Sequence, residues 1–176
     1  MSSVAPSTRR LFLALWPGDF ERHLLAELAR AISGERASRP ASFHLTLVFL
    51  GATSVERLAC YEQSLSDFTM PLLTLSLDRF GYWPKPRILW LGSSSPLPLL
   101  EEVVMDLHRR LQTCGFVPEK RPFSPHITLA RKFSGPAPDG PVREPIQWTV
   151  NQVVLAESLR QADGTHYRVL ARWPRG

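Results

Sequence analysis

Two cysteines in 176 residues are too few for a disulfide-dense secreted scaffold, and no cysteine cluster suggests a zinc site. Cys60 and Cys114 both fall within apolar helical patterns, so they are read as small core residues, not as a disulfide or a reactive thiol. No stretch approaches about 18 uninterrupted apolar residues, which excludes a helical membrane span. The opening segment has its arginines at its end and no small-residue cleavage site after them. Residues 1–9 therefore read as a short flexible tail, and with no export signal the expected compartment is the cytoplasm. Lysine is scarce, since 18 of the 21 basic residues are arginine. The formal charge is +5, which favours polyanionic partners, and the planar arginine fork suits phosphate oxygens better than an ammonium does.

Hydrophobic periodicity then sets out the elements. Arg10–Trp16 is an apolar strand ending at Pro17-Gly18, and Asp19 is expected to cap a helix whose stripe is Phe20, Leu24, Leu25, Leu28 and Ile32. Ser42–Leu50 reads as a second strand ended by Gly51, and Ser54 opens a second helical pattern reaching Phe68. Leu72–Phe80 and Arg87–Gly92 are strands joined by a loop over residues 81–86. The clearest helix carries Leu100, Val103, Val104, Leu107, Leu111 and Cys114, with Gly115 as its stop. Ser124–Lys132 is a strand and Pro136–Pro145 a loop. Gln147–Glu157 and His166–Trp173 are strands flanking a turn at residues 162–165. Hairpin-length connections indicate antiparallel pairing and hence an α+β fold.

Histidine is also sparse, and its placement is informative. Of the five, His44 and His126 open two similar phrases, Phe43-His-Leu-Thr-Leu47 and Pro125-His-Ile-Thr-Leu129, separated by close to half the chain. Such an echo is what a duplicated unit leaves behind. In a strand, residues i and i+2 share a face. Each copy therefore offers an imidazole and a hydroxyl to a groove (His44 with Thr46, His126 with Thr128) while the residues between them anchor it in a core. Two imidazoles near neutral pKa suit one proton removal and one proton delivery, and hydroxyls can hold phosphate oxygens. Neither histidine has a neighbouring carboxylate, and there is no His-Glu-x-x-His pattern, so no metal is expected. His23, His108 and His166 have no companion motif and receive no role. Phe123, Tyr82, Trp83 and Trp90 are candidates for stacking on a base, Trp90 being the one best read as core.

The phrases Phe43-His-Leu-Thr-Leu-Val-Phe-Leu-Gly51 and Arg121-Pro-Phe-Ser-Pro-His-Ile-Thr-Leu-Ala-Arg131 resemble the two signatures of the 2H phosphoesterases. Within them, the likeness is to the bacterial and archaeal RNA 2′,3′-cyclic phosphodiesterases, also called 2′-5′ RNA ligases. Arg10-Leu-Phe-Leu-Ala-Leu15, Arg87–Gly92, Leu155–Ser158 and Gly164–Tyr167 extend it across nearly the whole chain. The resemblance implies one domain of two interleaved, pseudo-symmetric lobes around a cleft. It implies hydrolysis of a terminal 2′,3′-cyclic phosphate to a 2′-phosphate without metal or cofactor, with reversible 2′-5′ ligation. It assigns His44 as proton donor to the leaving O3′ and His126 as proton acceptor, with Thr46, Thr128 and Arg131 binding substrate. The implied partners are RNA ends, tRNA halves among them, or small cyclic nucleotides; the protein is expected to be a monomer that contacts no membrane. Two departures, Ser42 where relatives often carry Asn and Ser124 where they often carry His, bear on substrate preference. Arg131 lies an odd offset from His126, so a regular strand would point it away, and a bulge, a twist or a long reach is needed to bring it back. The alternatives are a phosphodiesterase for another cyclic or 2′-5′ nucleotide, and an RNA-end-binding module without turnover.

Overall fold

The computed structural model describes residues 8–138 and 140–174. They form β1 (Arg9–Leu15), α1 (Asp19–Ser33), β2 (Leu45–Thr53), α2 (Val55–Ser64), β3 (Leu73–Trp83), β4 (Ile88–Gly92), α3 (Pro98–Gln112), β5 (Ile127–Arg131), β6 (Pro141–Val150), β7 (Val153–Gln161) and β8 (Gly164–Trp173). Short 3-10 turns occupy Gly34–Arg36 and Pro40–Ser42. The tail expected over residues 1–9 falls mainly outside the described residues, and Arg9 already belongs to β1.

The class is α+β, with one antiparallel sheet of eight strands in the order β6-β3-β4-β5-β2-β1-β7-β8. At its centre β2 and β5 meet through a single pair, Leu45 with Ile127. Reading outward from that seam, β2-β1-β7-β8 lies on one side and β5-β4-β3-β6 on the other. The units β1-α1-β2 and β4-α3-β5 occupy matching places, as the repeated phrase requires. Five strands separate β6 from β7 in the sheet, yet only Asn151 and Gln152 join them in the chain. A flat sheet would put those two strands roughly 29 Å apart, whereas three Cα steps reach about 11 Å. The sheet must therefore curl strongly.

One face of the sheet is sealed by the helices. Leu11, Leu13 and Leu15 of β1, Ile127 and Leu129 of β5, and Leu100, Val103, Val104, Leu107 and Leu111 of α3 share one buried cluster. The α3 stripe is the one expected. On the opposite face of β1, Phe12 and Ala14 pack with Val154 and Ala156 of β7 and with Trp16, Tyr167 and Val169. The alternation along β1 thus separates the helix-covered core from the face that carries the site.

Several expectations need correction. Cys60, exposed on α2, and Cys114, just past α3, form a disulfide across 54 residues. Periodicity assigned each cysteine to a helix but could not show that α2 and α3 lie side by side. Residues 141–145 belong to β6, not to a loop: Val142, Ile146, Trp148 and Val150 alternate inward on this edge strand. Its prolines are tolerated because an edge needs fewer N–H donors, and the pairing with β3 is irregular between Leu77 and Arg79. The expected strand Gln147–Glu157 is two strands, broken at Asn151 and Gln152. Tyr82 and Trp83 lie in β3, not in a loop, and Gly51 lies inside β2. Gly18, not Asp19, precedes α1, and Phe20 is 68% exposed instead of joining the α1 stripe. The second helix stops at Ser64, short of Phe68, but Ser54 does cap it, its side chain accepting from the Arg57 N–H.

Candidate active site

Both motif histidines stand one residue ahead of a strand, His44 before β2 and His126 before β5. The expected strands Ser42–Leu50 and Ser124–Lys132 therefore begin later than read, because Pro40–Ser42 forms a 3-10 turn and Pro125 precedes His126. The alternation survives: Leu45, Leu47, Ile127 and Leu129 are buried, while His44, Thr46, His126 and Thr128 are partly exposed on the other face. The seam then does the rest. With Leu45 opposite Ile127 in an antiparallel pair, Thr46 falls beside His126 and His44 beside Thr128. All four line one cleft of about 1090 Å³, and Arg131 lines it with them.

Arg131 reaches that cleft through a bulge. Leu89 pairs with Ala130 but Trp90 pairs with Thr128, so Leu129 is the extra residue and the facing of β5 shifts after it. The same irregularity occurs in β2, where Leu13 pairs with Val48 and Ala14 with Thr46, making Leu47 the extra residue. Both bulges fall at the leucine of the motif. In consequence Phe49 occupies in the first copy the place that Arg131 holds in the second. Phe49 is 56% exposed and also lines the cleft.

Two carbonyls orient the imidazoles. His44 Nδ1 donates to the Ser42 carbonyl at 2.7 Å, and His126 Nδ1 donates to the Ser124 carbonyl at 2.7 Å. Because a carbonyl can only accept, each contact fixes the proton on Nδ1 and leaves Nε2 as the nitrogen available to the cleft. Both contacts use the serine backbone, so the side chains of Ser42 and Ser124 take no part in orienting the imidazoles.

Aromatic rings, which the sequence did not single out at these places, hold the first histidine. Phe12 lies 4.9 Å from the His44 ring centroid and Tyr167 4.7 Å, while Trp16 stacks on it at 5.6 Å with an interplanar angle of 15°. Behind Trp16 the Arg22 guanidinium sits 5.2 Å from the indole centroid, donating to the carbonyls of Pro17 and Pro40. Enclosure pushes the His44 pKa down from 6.5 to about 4, opposed by the Ser42 contact and reinforced by Arg131, His126 and Arg22. Burial also lowers His126, again with Arg131 adding to the effect. His126 is more open to solvent and has Trp83 edge-on at 4.6 Å, with Trp90 at 6.1 Å. Trp90 reaches there only because residue 81 is glycine, since a Cβ at Gly81 would lie 1.9 Å from the Trp90 ring.

Of the stacking candidates, Trp83 and Phe123 line a second cavity of about 590 Å³ that shares His126, Thr128 and Arg131 with the first. Tyr82 instead packs edge-on against Phe133, and His166 hydrogen-bonds Asp163 on the β7–β8 turn. No group of three or more His, Cys, Asp or Glu residues placed to hold a metal occurs among the described residues. No helix there is long and apolar enough to cross a membrane.

Known proteins share this fold. The family model of the LigT-like phosphoesterases matches twice in tandem, over residues 19–90 and 91–165, which is the duplication the repeated motif indicates. An RNA 2′,3′-cyclic phosphodiesterase of Escherichia coli strain K12 is 31% identical over 169 residues, spanning 94% of this chain and 96% of that protein. A Thermus thermophilus protein of the same name is also 31% identical, over 93% of this chain and 89% of its own length. The crystal structure of E. coli LigT complexed with 3′-AMP superposes with a TM-score of 0.83 at 29% identity, covering 95% of this chain and 98% of that one. With a doubled match along nearly its whole length, the chain belongs to the LigT-like phosphoesterase family.

Proposed function

We propose that the protein is an RNA 2′,3′-cyclic phosphodiesterase that opens a terminal cyclic phosphate to a 2′-phosphate by general acid–base catalysis without a metal. The observation that carries this reading is the pair of carbonyl-oriented imidazoles, each beside the threonine of the other copy, around one cleft. The names of the relatives support the substrate class.

In the proposed step a water oxygen attacks phosphorus while neutral His126 Nε2 takes its proton. The P–O3′ bond breaks, and protonated His44 Nε2 delivers a proton to O3′. The product carries a 2′-phosphate and a free 3′-hydroxyl, and solvent exchange restores the two protonation states. Thr46 and Thr128 donate to the non-bridging oxygens, with Arg131 neutralising developing charge. The split of roles fits the environments. His126, nearer solvent, has access to water. His44, enclosed by three rings, is a strong acid once protonated, and the substrate phosphate next to it offsets the cost of that charge. With the 5′-hydroxyl of a second RNA in place of water as the nucleophile, the same ring opening would form a P–O5′ bond, break P–O3′ and join RNA through a 2′-5′ linkage; its reverse would cleave that linkage and restore the cyclic end.

We propose further that the chain works as a monomeric single domain of two interleaved lobes in the cytoplasm, acting on RNA ends such as those of tRNA halves. Thiol trapping in cells tests the compartment. In a glutathione-poised cytoplasm the Cys60–Cys114 pair, of which Cys60 is exposed, is expected as the dithiol.

The chemistry is tested by turnover of a short RNA with a cyclic end. His44→Ala and His126→Ala should each reduce kcat by roughly 10²–10⁴-fold, with Thr46→Ala and Thr128→Ala costing less. Near-full activity in either folded histidine variant would overturn the acid–base assignment.

A further inference from the structure

The cleft is larger than the proposed chemistry needs. Its volume of about 1090 Å³ slightly exceeds the range for a whole drug-sized ligand, roughly 300–1,000 Å³. It extends along the sheet away from the histidines. On β1, Arg10 lies two residues beyond Phe12 on the same face, roughly 7 Å further on. On β7, Arg160 lies four residues beyond Ala156, the partner of Phe12, or roughly 13 Å. Arg57 of α2 lines the same space. All three are exposed, and none of their guanidinium groups takes part in an ion pair or hydrogen bond among the described residues, the Arg57 contact to Ser54 being through its backbone N–H. Among the described residues, the one carboxylate lining this cleft, Glu119, is placed against Arg121 at 3.5 Å. Three unpaired guanidiniums converging on a groove with no carboxylate of their own repel one another unless an anion lies between them. Spaced in steps leading away from a phosphate-handling centre, they match a chain of phosphates better than a single one.

Resting on the reading of His44 and His126 as a cyclic-phosphate centre, we propose that Arg10, Arg57 and Arg160 form a track for the backbone phosphates 5′ to the reacting end. The preferred substrate is then a single-stranded oligonucleotide, not a cyclic mononucleotide. The arginines act in binding and touch no reacting atom.

The test compares a 2′,3′-cyclic mononucleotide with a five-nucleotide RNA ending in the same cyclic nucleotide. Both are assayed with the wild type and with the triple variant Arg10→Gln, Arg57→Gln, Arg160→Gln. The wild type should favour the oligonucleotide by tenfold or more in kcat/KM. The triple variant should lose that preference through KM with kcat kept, and turn over the mononucleotide within twofold of wild type. The slope of log kcat/KM against log salt for the oligonucleotide should fall by about 2, at about 0.7 per phosphate on a single strand. Each single variant should show a fraction of the effect, which keeps the test open if the triple variant does not fold. A wild type without oligonucleotide preference, or a variant that keeps both preference and salt slope, would overturn the track alone. A wild type that turns over neither substrate would overturn the centre, and the track with it.

Discussion

Enclosing His44 between Phe12, Trp16 and Tyr167 has a consequence for stability that is separate from catalysis. The folded-state pKa is about 4 against 6.5 for the free side chain. Above pH 6.5 the imidazole is neutral in both folded and unfolded chains and imposes no penalty. As pH falls from 6.5 to 4, the unfolded chain takes up the proton while the folded one resists it, so stability is lost across that window. At 1.36 kcal/mol per pKa unit the loss approaches about 3 kcal/mol, a large part of a typical domain's margin. Carboxylates also titrate near pH 4, so wild type alone cannot isolate the effect. The informative quantity is the difference between wild type and His44→Gln in urea unfolding at pH 7.5, 6.5, 5.5 and 4.5. Shared carboxylate contributions cancel in that difference, and the variant should gain on wild type by about 2–3 kcal/mol between the extremes. Inorganic phosphate should reduce the gap by favouring the protonated imidazole. A difference flat to within about 0.5 kcal/mol would refute the argument that enclosure holds His44 neutral.

The same depression shapes turnover. With both histidines titrating below 6.5, kcat/KM should peak on the acid side of 6.5, whereas kcat, measured with the phosphate in place, should peak at higher pH. Coincident optima would mean that bound substrate does not raise either imidazole. Glu157, gripped by Arg9 at 2.9 and 2.7 Å and by Arg168 at 2.7 Å, is held at about 2, so it contributes stability above pH 4.5 that is lost as pH falls toward 2. Glu157→Gln should flatten that limb in acid unfolding, and an unchanged limb would place the stability elsewhere. The Cys60–Cys114 link closes a 54-residue separation, so replacing both cysteines by serine should lower unfolding stability by up to about 4 kcal/mol. Equal stability of the oxidised protein and the double variant would show that α2 and α3 are held by packing alone.

The sequence made the centre legible because its determinant is local. An alternating His-x-Thr-Leu phrase fixes which side chains share a face, and its repetition indicates that two faces meet. Both threonines and both histidines are found in one cleft for that reason. Arg131 needed a bulge to join them, and the bulge is set by pairing with β4, which no single strand reveals. The ring enclosure of His44 escaped notice for a similar reason. Phe12, Trp16 and Tyr167 come from β1, from just beyond it and from β8, and only the sheet order β2-β1-β7-β8 assembles them. Proline misled the reading of β6, since Pro141 and Pro145 signal a loop unless the strand lies at an edge. The carbonyls of Ser42 and Ser124 belong to the backbone and carry no side-chain signature at all.

The most direct test of the central claim is product analysis of a short RNA ending in a 2′,3′-cyclic phosphate, incubated with purified protein in EDTA. The account predicts a 2′-phosphate with a free 3′-hydroxyl, formed at a rate the chelator does not change. A 3′-phosphate would contradict the assignment of O3′ as the leaving group, and loss of turnover in EDTA would contradict a centre built on two histidines alone.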